Sequence, residues 1–446
     1  MKTRALVAIV TIVVVALVVL AGALLVIGPP SATPPVPVAS TNVQVDRYPT
    51  GSNWSGAWGT DPDAAESPNG TVYVVWLGVR VQAIGDDSGY LPPNATAVWL
   101  AWSGNHGANY STPVRVSPLG ETYAFNPVIT ITPNGTVVVA WLNESSTEGI
   151  DTILVASEAV GSSAFYYTTA VEFPGPLDVP WLGSFPDGDV FLTYSDTEDI
   201  YWTVSSDGGR TFGPSTPIGG TGYPTDTVTA GASGLWVTGF DLYPSAGLTS
   251  IWVASVNVSS GVAYVSTPAY TNLPYPCTPF ASKSSCAGAT LAVADGTTYL
   301  AYTGGNQTSI QLVSTADGGR SWSTPETVFT GPNDTAYVAP ILLMSASGAH
   351  LALAWQDNSS GSWKEYVAVG TSTTATFGPA ISVSDADGLP ANVLNEHGCE
   401  RVAGLCDDLA LLSGSGFLVL WSDGRGLPPT AWSSHVYSAQ VSVDFE

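Results

Sequence analysis

The chain has 446 residues, 45% of them hydrophobic and only 11% charged, which is ample apolar material for a large core. Acidic residues outnumber basic ones, 36 against 11, and the net charge of −25 would repel nucleic acid. No basic patch overrides that repulsion, and the body lacks long stretches of 3.6-residue periodicity, which points to an all-β fold.

Residues 1–28 read as a targeting segment. Met1-Lys2-Thr3-Arg4 is basic, and Ala5 to Ile27 is an unbroken apolar run. At a helical rise of ~1.5 Å per residue that run spans about 35 Å, enough for a hydrocarbon core of ~30 Å. It is longer than the apolar region of a cleavable signal, so an uncleaved single-pass membrane helix is expected, with the bulk of the chain outside the cell. Residues 29–41, with five prolines, read as a semi-rigid stalk, and residues 42–446 as the folded body.

A self-similar unit then recurs: a turn with Gly, alternating apolar residues, and an aromatic six residues on. It appears as Gly70–Trp76, Gly135–Trp141, Gly188–Tyr194, Gly234–Phe240 and Gly296–Tyr302, with looser copies at Gly348–Trp355 and Gly416–Trp421. Spacings of 46 to 68 residues, with several short strands in each, are the signature of propeller blades. Each copy is read as the second strand of a four-stranded blade. The last blade is short of one strand, and Asn42–Asp46 is placed there, which would remove an exposed sheet edge. Seven blades are expected, and six stay open if one unit is an insertion.

Two octapeptides punctuate this pattern, Ser205-Ser206-Asp207-Gly208-Gly209-Arg210-Thr211-Phe212 and Thr315-Ala316-Asp317-Gly318-Gly319-Arg320-Ser321-Trp322. The Asp at such a turn accepts backbone N–H groups, Gly takes the positive-φ position, and the aromatic returns to the core. Arg210 and Arg320 are read as solvated. A degenerate copy at Ser103–Tyr110 has Asn105 in place of the Asp, with His106 as a turn residue. The octapeptides resemble the Asp-box repeat of the sialidase-type β-propellers. The resemblance covers about residues 43–446 and implies architecture more than activity, because the box is a structural turn in enzymes and binding proteins alike.

Four cysteines form two close pairs, Cys277/Cys286 and Cys399/Cys406. Local disulfides are the first reading for an exported body; zinc is the rival, although neither pair has metal-ligand spacing. Ten Asn-x-[Ser/Thr] sequons suit a glycoprotein, though several coincide with Asn-Gly hairpin turns. No cofactor motif is found. Asp385-Ala386-Asp387-Gly388 lacks the further ligands of a calcium loop and is read as a turn.

In a propeller the long second-to-third-strand loops and the inter-blade connectors share one face. Arg47, Arg80, Arg401 and Arg425 map there, all in blades seven and one, as a candidate site for a carboxylate ligand. Sialidases are similar: their resemblance implies an arginine clamp, which Asp46-Arg47-Tyr48-Pro49 matches in part. It also implies an acid/base Asp, for which Asp86 or Asp87 is suited, and a Tyr nucleophile with a Glu partner. Glu396 and Glu400 lie on the expected face, and Tyr90, Tyr123, Tyr243, Tyr275 and Tyr337 stay open as the nucleophile. Local pairing is the alternative for Arg425 and Arg401. Three functions follow: a surface protein binding glycans or another surface partner, an exo-sialidase-like hydrolase, and a structural component of the cell envelope.

Overall fold

Successive side chains of each recurring unit point to opposite faces of its sheet, and both faces are buried against neighbouring sheets in a ring of seven antiparallel blades. The computed structural model describes residues 36–54, 57–80, 95–118, 123–144, 149–158, 164–221, 223–231, 234–240, 249–271, 289–304, 309–331, 338–347, 350–357, 364–386, 409–413, 417–425 and 434–444. All regular structure among the described residues is β. The expected membrane helix lies outside them, as do Asp86, Asp87, Glu396, Glu400 and Arg401, and Tyr90, Tyr243, Tyr275 and Tyr337. Cys277, Cys286, Cys399 and Cys406 lie outside them too. The two expected disulfides, Cys277 with Cys286 and Cys399 with Cys406, are therefore not found among the described residues, and neither is the rival zinc site.

Blade one comprises Trp58–Glu66, Val72–Val79, Thr96–Ser103 and Val114–Arg115, and blade two comprises Ala124–Ile131, Val137–Asn143, Asp151–Glu158 and Tyr166–Phe173. Blade three comprises Asp178–Ser184, Val190–Ser195, Asp199–Ser205 and Thr216–Thr221. Blade four runs through Tyr223–Ala230, Gly234–Phe240, Thr249–Asn257 and Val262–Thr271, and blade five through Ala289–Ala294, Thr297–Gly304, Ser309–Thr315 and Glu326–Thr330. Blade six is Val338–Ser347, His350–Asp357, Lys364–Thr371 and Ile381–Ser382. The first strands of consecutive blades touch in a closed ring, the seventh against the first. Seven sheets therefore decide between the two blade numbers left open by the sequence.

Blade seven takes Leu409–Ser413, Phe417–Asp423 and His435–Asp444 from the end of the chain and its outer edge from the start. Val43 and Gln44 pair with Ser438 and Tyr437, while Val36–Ala39 pairs with Val441–Asp444. Part of the stretch read as a stalk is thus a strand. Pro37 is accommodated because an edge strand does not need every N–H for its ladder.

The aromatics that end the recurring units fill the gaps between blades. Trp76, Trp141, Trp355 and Trp421 are fully buried. Polar ties run between first strands as well: Asp63 Oδ2 of blade one accepts the Ile129 N–H of blade two at 2.8 Å. Asp226 Oδ2 of blade four accepts from Leu291 N and Thr290 Oγ1 of blade five, both at 2.7 Å.

Both octapeptide turns close as their residue types require. Asp207 Oδ1 accepts the Thr211 N–H at 2.8 Å, and Thr211 Oγ1 donates to Asp207 Oδ2 at 2.7 Å. Asp317 repeats this with Ser321, at 2.9 Å from its N–H and 2.5 Å from its hydroxyl. Ser205 and Thr315 bond the first carboxylate oxygen and accept the N–H of Gly209 and Gly319. Gly209 has φ +83° and sits where a Cβ would meet Val138 of blade two at 2.7 Å, so the turn rests directly on the preceding blade. In the degenerate copy Asn105 Oδ1 accepts the Asn109 N–H at 3.1 Å, and the Tyr110 hydroxyl reaches Ser438 of blade seven.

Arg210 and Arg320 are solvent-exposed, as read from the sequence, and also make a contact that the sequence did not show. Each is exposed yet stacks on a tyrosine of the preceding blade's outer strand, Arg210 over Tyr166 at 5.8 Å and Arg320 over Tyr264 at 6.0 Å. The box turn reaches back across the blade gap, and a planar guanidinium loses little hydration by lying on a ring face.

Candidate functional site

Three strand ends meet on the loop face between blades two and three. Val137–Asn143 delivers Asn143 and then Glu144, Asp151–Glu158 opens with Asp151, and Asp178–Ser184 opens with Asp178. The first strand of blade two adds Asn126. Its register against the second strand shifts between Phe125 and Val128, a bulge that re-aims the side chain. Asn126 adopts φ +46°, as Asn readily does, ahead of Pro127. Blade three repeats the device at Val179-Pro180, with φ +46° at Val179 beside Asp178, although a β-branched residue tolerates that conformation poorly.

The hydrogen bonds join the strand ends into one cluster. Asn126 Nδ2 donates to Asp178 Oδ1 at 3.1 Å, and the same oxygen accepts the Val179 N–H at 2.8 Å. Asp151 Oδ2 accepts the Leu177 N–H at 3.0 Å, and the Glu144 N–H donates to the Tyr123 carbonyl at 3.1 Å. Asn126 is 8% exposed, and its Oδ1 is buried with no hydrogen-bond partner, as is Asn143 Oδ1. Glu144, Asp151 and Asp178 are half-buried. Burial, then the charges of Asp151 and Asp178, push the Glu144 carboxyl up to about 7. At neutral pH it exchanges between donor and acceptor beside two other carboxylates.

None of these acids stands out in the sequence. The available signal is positional: each sits at a strand end on the loop face, as residue 143 or 144 after a recurring unit, or just before the next strand begins.

The sequence-predicted arginines are placed as follows. In Asp46-Arg47-Tyr48-Pro49, Arg47 is exposed and its neighbours turn inward. Asp46, 1% exposed, meets His435 Nδ1 at 2.9 Å, and the Tyr48 hydroxyl donates to the Trp58 carbonyl at 2.8 Å while accepting from Trp76 Nε1. Burial and the Asp46 charge hold the Tyr48 phenol well above its ordinary range. This stretch is the seam where the two chain ends close the ring.

Arg80 lies over Trp54 at 5.3 Å, and Arg115 of the outer strand lies over the same ring at 5.7 Å. Trp54 packs with Leu418, Leu420 and Val436, on the side of blade seven that faces blade one. Arg425 bonds Asn42 Oδ1 at 2.8 Å, pairs with Asp385 and stacks on Tyr437 at 4.2 Å. Tyr437 and Trp421 pack on the opposite side of blade seven, against blade six. Arg80 and Arg425 thus stack on different rings, Trp54 and Tyr437. Tyr123 is 7% exposed and packs in the core of blades one and two.

No family model matches the chain, and no curated protein matches it. Solved structures do. A protein of unknown function from Dyadobacter fermentans DSM 18053 is similar at a TM-score of 0.51 and 9% identity, over 92% of this chain and 99% of that one. The Hadza microbial sialidase Hz136 has a TM-score of 0.46 at 10% identity, over 86% of this chain and 65% of that one. The GH93 α-L-arabinofuranosidase of Fusarium graminearum, in complex with arabinobiose, has a TM-score of 0.47 at 13% identity, over 91% of this chain and 98% of that one. At such identities the likeness is one of fold, and the fold is a seven-bladed β-propeller.

Proposed function

We propose that this is a membrane-anchored, extracellular carbohydrate-binding propeller whose site is the cluster of Glu144, Asp151, Asp178 and Asn126 on the loop face. The carrying observation is the buried, unpartnered Asn126 Oδ1 at the edge of half-buried carboxylates. A buried acceptor without a donor costs about 1–3 kcal/mol, and a hydroxyl-bearing ligand would remove that cost. Loops joined to a rigid ring are a common place for such sites.

Glycoside hydrolysis is the second reading, favoured by one observation. Glu144 is pushed up to about 7 beside two other carboxyl groups, the split in proton affinity that lets one carboxyl act as acid and another as base or nucleophile. An arginine clamp for a sugar carboxylate is the weaker reading: Arg80 stacks on Trp54, and Arg425 bonds Asn42 and pairs with Asp385.

The test is a glycan array probed with the purified full-length chain, alongside hydrolysis assays on aryl glycosides. Array binding that weakens in Glu144→Gln supports the binding reading, and turnover abolished by the same substitution converts it to catalysis. Binding of no glycan by a protein folded by circular dichroism would overturn both.

A further inference from the structure

The start of the folded body fixes where the ring is tethered. Val36–Ala39 pairs with Val441–Asp444, and Val43 and Gln44 pair with Ser438 and Tyr437. The Ser40 and Val45 N–H groups add bonds to the Gln440 and Val436 carbonyls, both at 2.8 Å, so residues 36–45 run along the whole third strand of blade seven. Their direction follows from the register. Val36 is opposite Asp444, at the end of the blade where Ser413 pairs with Phe417 and Phe417 with Val441, beside the turn between the first two strands. Gln44 is opposite Tyr437, at the other end, where Asp423 pairs with His435 on the loop face. The chain thus enters the ring at its tight-turn face and on its outer rim.

Eight residues, 28–35, separate Val36 from the apolar run that ends at Ile27, and four of them are proline. Even fully extended, the nine residue steps from Ile27 to Val36 reach only about 30 Å. That reach is ample with the tight-turn face toward a bilayer, because only two to five residues join first and second strands there. With the loop face inward, Val36 would be lifted by the depth of the blade, about 26 Å over the eight steps to Gln44. The 16 residues between Val79 and Thr96, and the 11 between Asp423 and His435, would have to fit beneath it as well. So short a tether leaves no room for them.

We propose that the Val36–Gln44 edge of blade seven holds the ring on the membrane with its tight-turn face inward, so that the loop face meets carbohydrate presented from the surroundings and not the headgroups of its own bilayer. This rests on the membrane-anchored reading given above and adds to it which ligands the loop face can reach.

Energy transfer from a dye on the full-length chain to acceptor-labelled lipid in phosphatidylcholine vesicles tests it. The dye is coupled to p-azidophenylalanine, placed singly at one of four exposed positions. Asp187 and Ser442 mark the tight-turn face in blades three and seven, and Glu198 and Arg47 mark the loop face in the same blades. With the two faces about 20 Å apart along a strand, transfer from Asp187 should exceed that from Glu198 about twofold or more, and Ser442 should exceed Arg47 likewise. Equal transfer within each pair would mean a disc standing on its rim, and stronger transfer from Glu198 and Arg47 would mean a loop face turned to the bilayer. Either result overturns the proposal. Inserting about twenty Gly and Ser residues after Pro35 should erase most of the difference. A difference that survives the insertion would overturn the short tether as its cause. A chain that fails to float with the vesicles would instead remove the membrane-anchored reading itself.

Discussion

Asn126 of blade two and Asp178 of blade three are joined across the loop face by a 3.1 Å hydrogen bond from Nδ2 to Oδ1. The contact makes one site from two blades, and it leaves the other amide atom of Asn126 buried without a partner. Asn126→Leu removes both the bond and the orphan acceptor. It should lower stability by roughly 1–2 kcal/mol, the cost of holding a leucine at φ +46°, because deleting an unsatisfied group offsets the lost bond, and it should abolish any glycan binding. Chemical denaturation and array binding, measured on the same sample, check the two halves of that expectation.

Glu144 gives a pH dependence. Its carboxyl is raised from 4.5 to about 7 by burial, then by Asp151 and Asp178, so the native state favours the protonated form. Stability from this group is fully present below its unfolded value and is lost as pH rises through about 7. Thermal denaturation should show a decline in Tm between about pH 5 and about pH 8, and Glu144→Gln should flatten part of it. An unchanged slope would place the decline elsewhere.

Asp226 adds to the same slope, with its carboxyl raised to about 6 by burial against the opposing bonds from Leu291, Thr290 and Thr227. The sign is the same, and its contribution falls away as pH passes about 6. Asp226→Leu strands two donors of blade five and should cost about 2–4 kcal/mol in urea unfolding. Asp226→Asn keeps an acceptor and should cost less, which separates the bonding role from the charge.

Asp317 behaves in the opposite sense. Its carboxyl is lowered to about 2, first by the Ser321 hydroxyl and then by the Ser321 N–H and Thr315. The stability it contributes is present above the ordinary Asp value and is lost as pH falls towards about 2. Asp317→Ala should lower Tm more than Asp317→Asn, since Asn105 already serves the equivalent turn of blade one through its Oδ1. Differential scanning calorimetry of the two variants decides.

Arg320 and Tyr264 allow a direct measure of a tie between blades. A double-mutant cycle with Arg320→Ala and Tyr264→Ala should return a coupling of about 0.5–1 kcal/mol, the range for an exposed guanidinium on a ring face. A coupling indistinguishable from zero would return Arg320 to the solvated role first read for it.

The repeat of Gly, apolar residues and a terminal aromatic was legible in the sequence, because a strand between two sheets is buried on both faces and its widest gap must be filled. Trp76, Trp141, Trp355 and Trp421 fill those gaps. The octapeptide turns were legible for a related reason: their hydrogen bonds run between residues two to four apart, so residue type and spacing alone specify them. Blade number was left between six and seven, since closure depends on long-range contacts such as Val43 with Ser438. The proposed site between blades two and three was not legible in the sequence. Scarce arginines drew attention to one side of the ring, yet Arg80 and Arg425 settle on local aromatic and acidic partners. Asn126, Glu144, Asp151 and Asp178 carry no motif, and their nearest relation in sequence is a gap of several residues across strands. Sequence determined the strand pattern through local periodicity; only the packing of blade two against blade three, through bulges that re-aim side chains, decided which acids would share a site.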